Sequence, residues 1–395
     1  MTLSQPDAAD AWHLITCEYP PTVGGVSDYS HTLAAALAES RAVHVWCPPG
    51  RTAPPVTAGV AVHPQFTSFS PMELWRAGAR LNAHPGPRRL FVQWVPQGFG
   101  YRSLNVGFAL WVAARAWWRR DEVHLMVHEP FLPWLPNPVH SAVSLVHRLM
   151  LAIAGSGAAR IWLSTSTWKE RIRPYVRRRI PVEWLPVPAP SLPVPAPSLP
   201  AAARQRATQP GGGGPVVGHF GTHSSLVTAI LAPALDVILR DTPASILLVG
   251  QGSDTFGETF LRTRPQAAAR VRATGVLAPE SVAQQLRTCD LMVQPYPDGV
   301  TTRRTSTLTL LALGLPVVTN AGHLSEPFWK ESGAVNIVSA PDGQLLGQAV
   351  AALLAGTGDR ETLAARARDL YDQRFASRHA VALLNAASWP GRHAA

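Results

Sequence analysis

Gln294-Pro-Tyr-Pro-Asp298-Gly-Val-Thr-Thr-Arg303-Arg304-Thr-Ser-Thr-Leu-Thr309-Leu-Leu-Ala-Leu-Gly314-Leu-Pro316-Val-Val-Thr319 reads as the end of a buried strand, a loop holding one acid and two arginines, a helix, and a second strand. Strand, loop, helix, strand at this spacing is the unit of a parallel α/β sheet, whose loops gather at the strand C-terminal edge. The loop chemistry suits a ligand with sugar hydroxyls at one end and phosphate at the other. A carboxylate accepts from hydroxyls, guanidinium groups grip phosphate oxygens in bidentate fashion, and the helix start aims N–H groups at the same place.

Outward from that stretch, short apolar runs alternate with helical patterns along the whole chain. In the first half the expected strands are Trp12–Cys17, Val43–Cys47, Arg89–Val95, Val123–His128 and Arg160–Ser164, with helices at Asp28–Glu39 and Val139–Ala154. The second half repeats the scheme with Val216–Phe220, Ser245–Gly250, Val271–Gly275, Leu291–Gln294, Pro316–Thr319 and Val335–Ser339. Between the halves, Val-Pro-Ala-Pro-Ser-Leu-Pro occurs twice in tandem (187–193 and 194–200) and four glycines follow. Such a segment suits a tolerant surface linker. The expected division is residues 1–186, a linker at 187–214, a second domain at 215–357, and C-terminal helices at 358–395 that return toward the first domain.

At 395 residues the chain exceeds the size at which single cores stop growing, about 250–300 residues, which also favours two domains. An apolar content of 46% against 15% charged describes a globular chain and excludes a disordered one. The net charge of +10 points only weakly to an anionic partner, because Lys169 and Lys330 are the only lysines and the arginine excess fits a genomic habit. No helix-turn-helix, zinc or RNA-module pattern accompanies the charge, so a nucleic-acid partner is not expected. Cys17, Cys47 and Cys289 are odd in number without metal-like spacing, as buried thiols in a reducing compartment would be. The N-terminus lacks a signal-peptide pattern, and the apolar stretch Ala142 to Leu163 is interrupted by His147, Arg148, glycines and Arg160. A cytoplasmic protein is expected, with a membrane surface as its furthest excursion.

Together the motifs resemble the bacterial glycosyltransferases of family 4, retaining enzymes of the GT-B fold. The resemblance rests on Tyr19-Pro-Pro-Thr-Val-Gly24-Gly25-Val-Ser-Asp28, Gln93-Trp-Val-Pro-Gln97, His128-Glu129-Pro, Val217-Gly218-His-Phe-Gly221-Thr222, Gly250-Gln-Gly252, Thr274-Gly275-Val-Leu, and Cys289 through Thr319. It implies an α/β architecture of two Rossmann-like doubly wound domains facing across a cleft. It further implies transfer of a sugar from a nucleoside-diphosphate sugar to a hydroxyl acceptor, without a cofactor or metal.

Carried over residue by residue, the resemblance makes His128 and Asp298 catalytic, touching the transferring sugar. Donor contacts fall to Gly24, Gly25, Gly221, Thr222, Val276, Leu277, Gly299, Arg303, Arg304, Thr305 and Ser306, with the base read at Val276–Leu277. Tyr19, Asp28 and Gln97 line the acceptor pocket, although Asp28 in a first helical turn also suits capping. The remaining histidines singled out, His31, His44 and His147, read as structural or surface.

Two departures matter. The second glutamate of the family pattern is replaced by a hydroxyl, Thr309 or Ser306 depending on the direction of counting. The arginine–lysine pair after the first strand of the second domain is missing from Gly221-Thr-His223-Ser-Ser-Leu. Arg303 and Arg304 are the expected replacement for those cations. The departures also support a competing reading, a catalytically idle relative serving as a binding subunit; a hydrolase or epimerase on the same fold is a third. Trp111, Arg115 and Trp118 share one helical face, and Arg173, Arg177, Arg178 and Arg179 follow later. These fit either a core-facing tryptophan pair with a solvated basic face, the favoured reading, or a helix lying on anionic lipid.

Overall fold

The computed structural model describes residues 11–134, 136–190, 192 and 214–387; most of the expected 187–214 linker lies outside them. Contacts divide the chain into two units, one formed by the described residues of Met1–Pro188 and Ser377–Ala395, the other by those of Ala189–Ala376.

The first unit runs β1 (Trp12–Ile15), α1 (Gly25–Ala38), β2 (Val43–Cys47), β3 (Val60–Pro64), α2 (Pro71–Leu81), β4 (Arg89–Trp94), α3 (Val106–Arg119), β5 (Glu122–Val127), α4 (Pro138–Ser156), β6 (Arg160–Leu163), α5 (Trp168–Ile172) and β7 (Val182–Trp184). Its seven strands lie in the order β3-β2-β1-β4-β5-β6-β7, all parallel. Parallel strands covered by helices on both faces read as unbroken apolar runs, and all six residues of β4 are buried. Two strands escaped the sequence reading. β3 is an edge strand, half exposed and ending in proline, and β7 has three residues at the opposite edge. Neither position requires a continuous apolar run.

The second unit runs β8 (Val216–Phe220), α6 (Ser225–Asp241), β9 (Ser245–Val249), α7 (Ser253–Thr263), β10 (Val271–Ala273), α8 (Pro279–Leu286), β11 (Leu291–Gln294), α9 (Thr305–Ala312), β12 (Val317–Asn320), α10 (Phe328–Ser332), β13 (Asn336–Val338), α11 (Gly343–Ala355) and α12 (Thr357–Leu370). Its sheet order is β10-β9-β8-β11-β12-β13, again parallel. The expected boundary at residue 357 moves to 376, because α12 packs on α9 and α11 inside this unit. The last helix, α13 (Ser377–Ala386), packs on α1 of the first unit, and Arg41 Nε donates to Asn385 Oδ1 at 3.0 Å.

Helix starts follow local chemistry. Ser70 and Glu73 form a reciprocal capping box on α2, and Asn105, Asn137 and Asp342 cap α3, α4 and α11; each cap is worth about 1 kcal/mol. Among the described helices, α4 has the length and apolarity to cross a membrane, contrary to the expectation that charges and glycines would interrupt it. It buries His147 and Arg148 against its own unit. His147 Nε2 donates to Ser103 O at 2.8 Å, and Arg148 lies 3.9 Å from the Phe131 ring centroid.

Candidate active site

In each sheet the strand order reverses beside the first strand, between β1 and β4 and between β8 and β11. Loops leaving the strand C-termini at such switch points are where open α/β sheets bind ligands. Every residue predicted for the site lies on a loop that leaves a strand C-terminus or on the helix that follows, although His128 follows β5 and Val276 and Leu277 follow the edge strand β10, away from the switch points.

In the second unit, the β11–α9 loop carries Asp298. Its Oδ2 accepts from Arg303 Nη2 at 2.8 Å, and its Oδ1 accepts from Arg304 Nη2. Burial pushes the Asp298 carboxyl up, but Arg304 and Arg303 outweigh it and hold it below the usual carboxylate range. Arg304 also lies over the Tyr296 ring, 4.6 Å from its centroid. The Tyr296 hydroxyl shares hydrogen bonds with Ser306 Oγ (2.8 Å) and Thr307 Oγ1 (2.7 Å). Arg304 is the N-cap residue of α9 and makes no side-chain cap bond, so acid, cations and helix start form one cluster.

The loop is anchored from below. Asn320 and Tyr296 exchange two hydrogen bonds of 2.8 Å. Glu326, which the sequence reading passed over, is buried and accepts from the Thr302 hydroxyl at 2.6 Å and from Trp329 Nε1 at 3.0 Å. Nothing in its sequence context separates it from a surface acid. Gly299 has φ +88 and its N–H donates to Tyr296 O at 3.0 Å; a side chain there would overlap the backbone at Gly322. Gly299 therefore shapes the loop.

Neighbouring loops bring bare backbone to this place. Gly221 faces Ser306, whose Oγ would lie 3.7 Å from a Cβ built on the glycine. Gly250, at φ +116, fits because a Cβ would overlap Gly221 O. Thr222 is exposed, as are Ser224, Ser225 and Leu226 at the start of α6, so the stretch that lacks the arginine–lysine pair presents hydroxyls and an apolar side chain to solvent, but no cation. The Gly275 N–H is held by Ser253 Oγ at 2.9 Å, and Val276 beside it is exposed with Leu277 half-buried. Thr305 opens α9, its N–H donating to Arg303 O at 3.1 Å.

In the first unit, His128 follows β5, and its Nε2 shares a hydrogen bond of 2.7 Å with Gln93 Oε1. Its ring meets Tyr29 edge-on at 4.8 Å, and its carbonyl accepts from Trp168 Nε1 at 3.1 Å. In the same unit, Gln93 Nε2 and the hydroxyls of Tyr19, Tyr29 and Ser27 are buried without a partner among the described residues. Such atoms are costly unless a ligand or water completes them. Gln97 is exposed and donates to the Glu129 carboxylate.

Three expectations are corrected here. Gly24 does not offer open backbone, because the Glu18 carboxylate fills the space a Gly24 side chain would take and accepts from the Val26 and Ser27 N–H groups; Gly25 is exposed. The start of α1 is thus already occupied by an anion of the chain itself. Asp28 does not cap α1, whose N-cap is Gly24 without a side-chain bond. Instead, burial and the neighbouring Glu18 push its carboxyl up to about 6.

The third correction concerns α3. Trp118 is 80% exposed and Trp117 50%, whereas Arg115 is buried. Arg115 donates to Asn82 Oδ1 at 2.8 Å and pairs with Asp121, which also holds Arg88 at 3.0 Å. A buried carboxylate demanding cations, not side-chain hydropathy, decided which residues of α3 face inward.

No family model matches this sequence, and no curated protein matches it. Solved structures do. The sucrose-phosphate synthase of Thermosynechococcus elongatus superposes with a TM-score of 0.69 at 16% identity, covering 95% of this chain and 97% of that one. Anabaena HepE in complex with UDP-glucose gives 0.63 at 18% identity, covering 95% and 98%. WaaG, a glycosyltransferase involved in lipopolysaccharide biosynthesis, gives 0.61 at 13% identity, covering 95% and 100%. The architecture is therefore that of the GT-B proteins, two Rossmann-like units in one chain.

Proposed function

We propose that this chain is a glycosyltransferase that moves a sugar from a nucleoside-diphosphate sugar to a hydroxyl acceptor with retention of configuration. The observation that carries the reading is the clasp of Arg303 and Arg304 on Asp298 at the uncapped start of α9. The guanidinium groups would stabilise charge building on the departing diphosphate, and Asp298 would accept from the sugar. His128, its ring held by Gln93 and Tyr29, would meet the sugar hydroxyls, and the buried polar atoms of the first unit that lack a partner among the described residues favour a polar ligand. Asp28, ionising near neutrality, would face the acceptor with Tyr19 and Gln97. On this reading the reaction needs no metal, because arginines supply the positive charge. The test is release of nucleoside diphosphate from a panel of donors with and without added acceptors. UDP-glucose comes first, since Anabaena HepE was solved with it.

A second reading, an idle binding subunit, draws on Glu18 filling the start of α1 and on the missing cations after β8. It predicts nucleotide binding or none, but no turnover with any donor. A hydrolase or epimerase would turn over donor without an acceptor.

We further place the protein in the cytoplasm, docked on the inner membrane face, where its acceptor would lie. Support comes from the groove of about 600 Å³ between α2 and α3, lined by Leu74, Trp75, Trp111 and Trp118. Trp75 and Trp118 are exposed there, flanked by exposed Arg76, Arg80, Arg119 and Arg120. Exposed tryptophan interleaved with arginine matches an anionic lipid interface.

A further inference from the structure

We propose that His44, His63 and His84 form a binding site for a divalent transition-metal ion of the zinc type. The sequence reading assigned no metal and read His44 as structural or surface; the three residues stand far apart in the chain and match no ligand motif. The fold assembles them: β2 supplies His44, the edge strand β3 supplies His63, and the segment between α2 and β4 supplies His84. One ligand atom from each ring lies within 4.8 Å of the other two.

The geometry is close to what an ion needs. Zinc binds imidazole nitrogen at about 2.0–2.1 Å in tetrahedral array, which sets ligand nitrogens about 3.3 Å apart. His44 Nδ1 and His63 Nε2 are 3.1 Å apart, and the His84 ring completes the set by a small shift. All three rings are half-buried, so an ion has an approach from solvent.

The rings are also held from behind, as metal ligands ordinarily are. His13 stacks on His44 at 4.9 Å, and Trp46 stacks on His63 at 4.2 Å. Trp46 Nε1 donates to His13 Nδ1 at 3.2 Å, which joins the two supports and takes that His13 nitrogen out of the ligand set. Arg88 Nη2 donates to His84 O at 2.9 Å and Asn82 O at 3.2 Å, fixing the loop, while Asp121 offsets the Arg88 charge. Burial lowers the pKa of all three rings, aided by the neighbouring imidazoles at His44 and His63 and by Arg88 at His84; His44 falls to about 4. Arg80 opposes a cation from the His63 side, which argues for moderate affinity.

Three neutral imidazoles without carboxylate or thiolate suit zinc, copper or nickel and not magnesium or calcium. The cluster lies among the strands and the α2–β4 segment, away from the loops that carry Tyr19, Gln97 and His128. Its role on this geometry is to clamp the edge strand β3 to its neighbours, leaving the fourth position to water.

Calorimetric titration of the tag-free full chain with Zn²⁺, after treatment with a chelator and desalting, tests the site. One equivalent should bind, and the thermal midpoint should rise with free Zn²⁺. His63→Gln and His84→Gln should each weaken binding at least tenfold, whereas His140→Gln, on the exposed face of α4, should not. The three cysteines are present in every variant, so they cannot produce that difference. Should either variant fold poorly, carbethoxylation of the wild-type chain read by mass spectrometry decides instead: Zn²⁺ should protect His44, His63 and His84 over the other histidines. Absence of binding, binding indifferent to both substitutions, or uniform protection would leave a hydrogen-bonded imidazole stack and overturn the site.

Discussion

Asp28→Asn should stabilise the first unit at neutral pH and do little at pH 4. The Asp28 carboxyl is pushed from 3.8 to about 6 by burial and by Glu18. A folded-state value above the unfolded one means that the native state binds more protons between pH 3.8 and 6, so stability falls as pH rises through that window. Above pH 6 the penalty is complete. The difference of about two pH units corresponds to about 3 kcal/mol at 1.36 kcal/mol per unit, and partial solvent screening reduces it to about 1.5–2 kcal/mol. Asparagine keeps the shape and removes the charge, and it also relieves Glu18. Urea unfolding followed by tryptophan fluorescence reads the right unit, since Trp329 is the only tryptophan of Ala189–Ala376. With a slope of about 2 kcal/mol per molar urea, the midpoint at pH 7.5 should rise by about 0.7–1 M, and the midpoint at pH 4.0 should barely move. Equal midpoints at pH 7.5, or the same gain at both pH values, would refute the burial-and-repulsion account. A gain in stability with a loss of transfer would show that this carboxylate is kept for function at the expense of the fold.

Three other outcomes concern the donor loops and the α2–α3 groove. Arg303→Glu or Arg304→Glu should raise the donor KM by at least tenfold, since charged hydrogen bonds are worth about 1.5–3 kcal/mol each; a variant that binds donor normally removes these residues from the diphosphate. Nucleotide release should be lost in Asp298→Ala and fall strongly in His128→Ala, measured as nucleoside diphosphate formed per enzyme under saturating donor. Sedimentation with anionic vesicles should drop when Trp75 and Trp118 are both changed to alanine, and high salt should weaken it further. Equal sedimentation of variant and wild type would detach this face from lipid.

Much of the fold was legible because parallel strands buried on both faces leave apolar runs that survive any tertiary detail. Val43–Cys47, Val216–Phe220 and Leu291–Gln294 stand where the sequence places them. The first sheet's edge strands β3 and β7 were not legible, because they bury too little to need such a run, whereas the second sheet's edges β10 and β13 were. Side-chain direction failed where electrostatics overrode periodicity. Arg115 turns inward to Asp121, a residue six positions away beyond the end of α3, and Trp118 is displaced outward. The Glu18 interaction with the start of α1 was hidden for a similar reason: helix starts attract anions, but sequence alone does not say that the anion comes from the chain's own preceding loop. The histidine cluster depends on strand register, which pairs His13 with His44 and Trp46 with His63.

The clasp on Asp298 raises an objection to its own assignment, since a carboxylate already paired with two arginines looks spent. Counting acceptor sites answers it. A carboxylate offers about four lone-pair positions, and a guanidinium has five N–H donors. Each Asp298 oxygen takes one arginine Nη2, which leaves acceptor capacity for hydroxyls, and each guanidinium has more N–H donors than this pairing uses. The pairing leaves one net positive charge on the three groups, so an incoming diphosphate is still attracted. Its main effect is geometric: long arginine side chains lose rotamer entropy when they bind, and Asp298 has already fixed both on the same side of the α9 start. A donor would meet cations held in place, without breaking an ion pair to reach them.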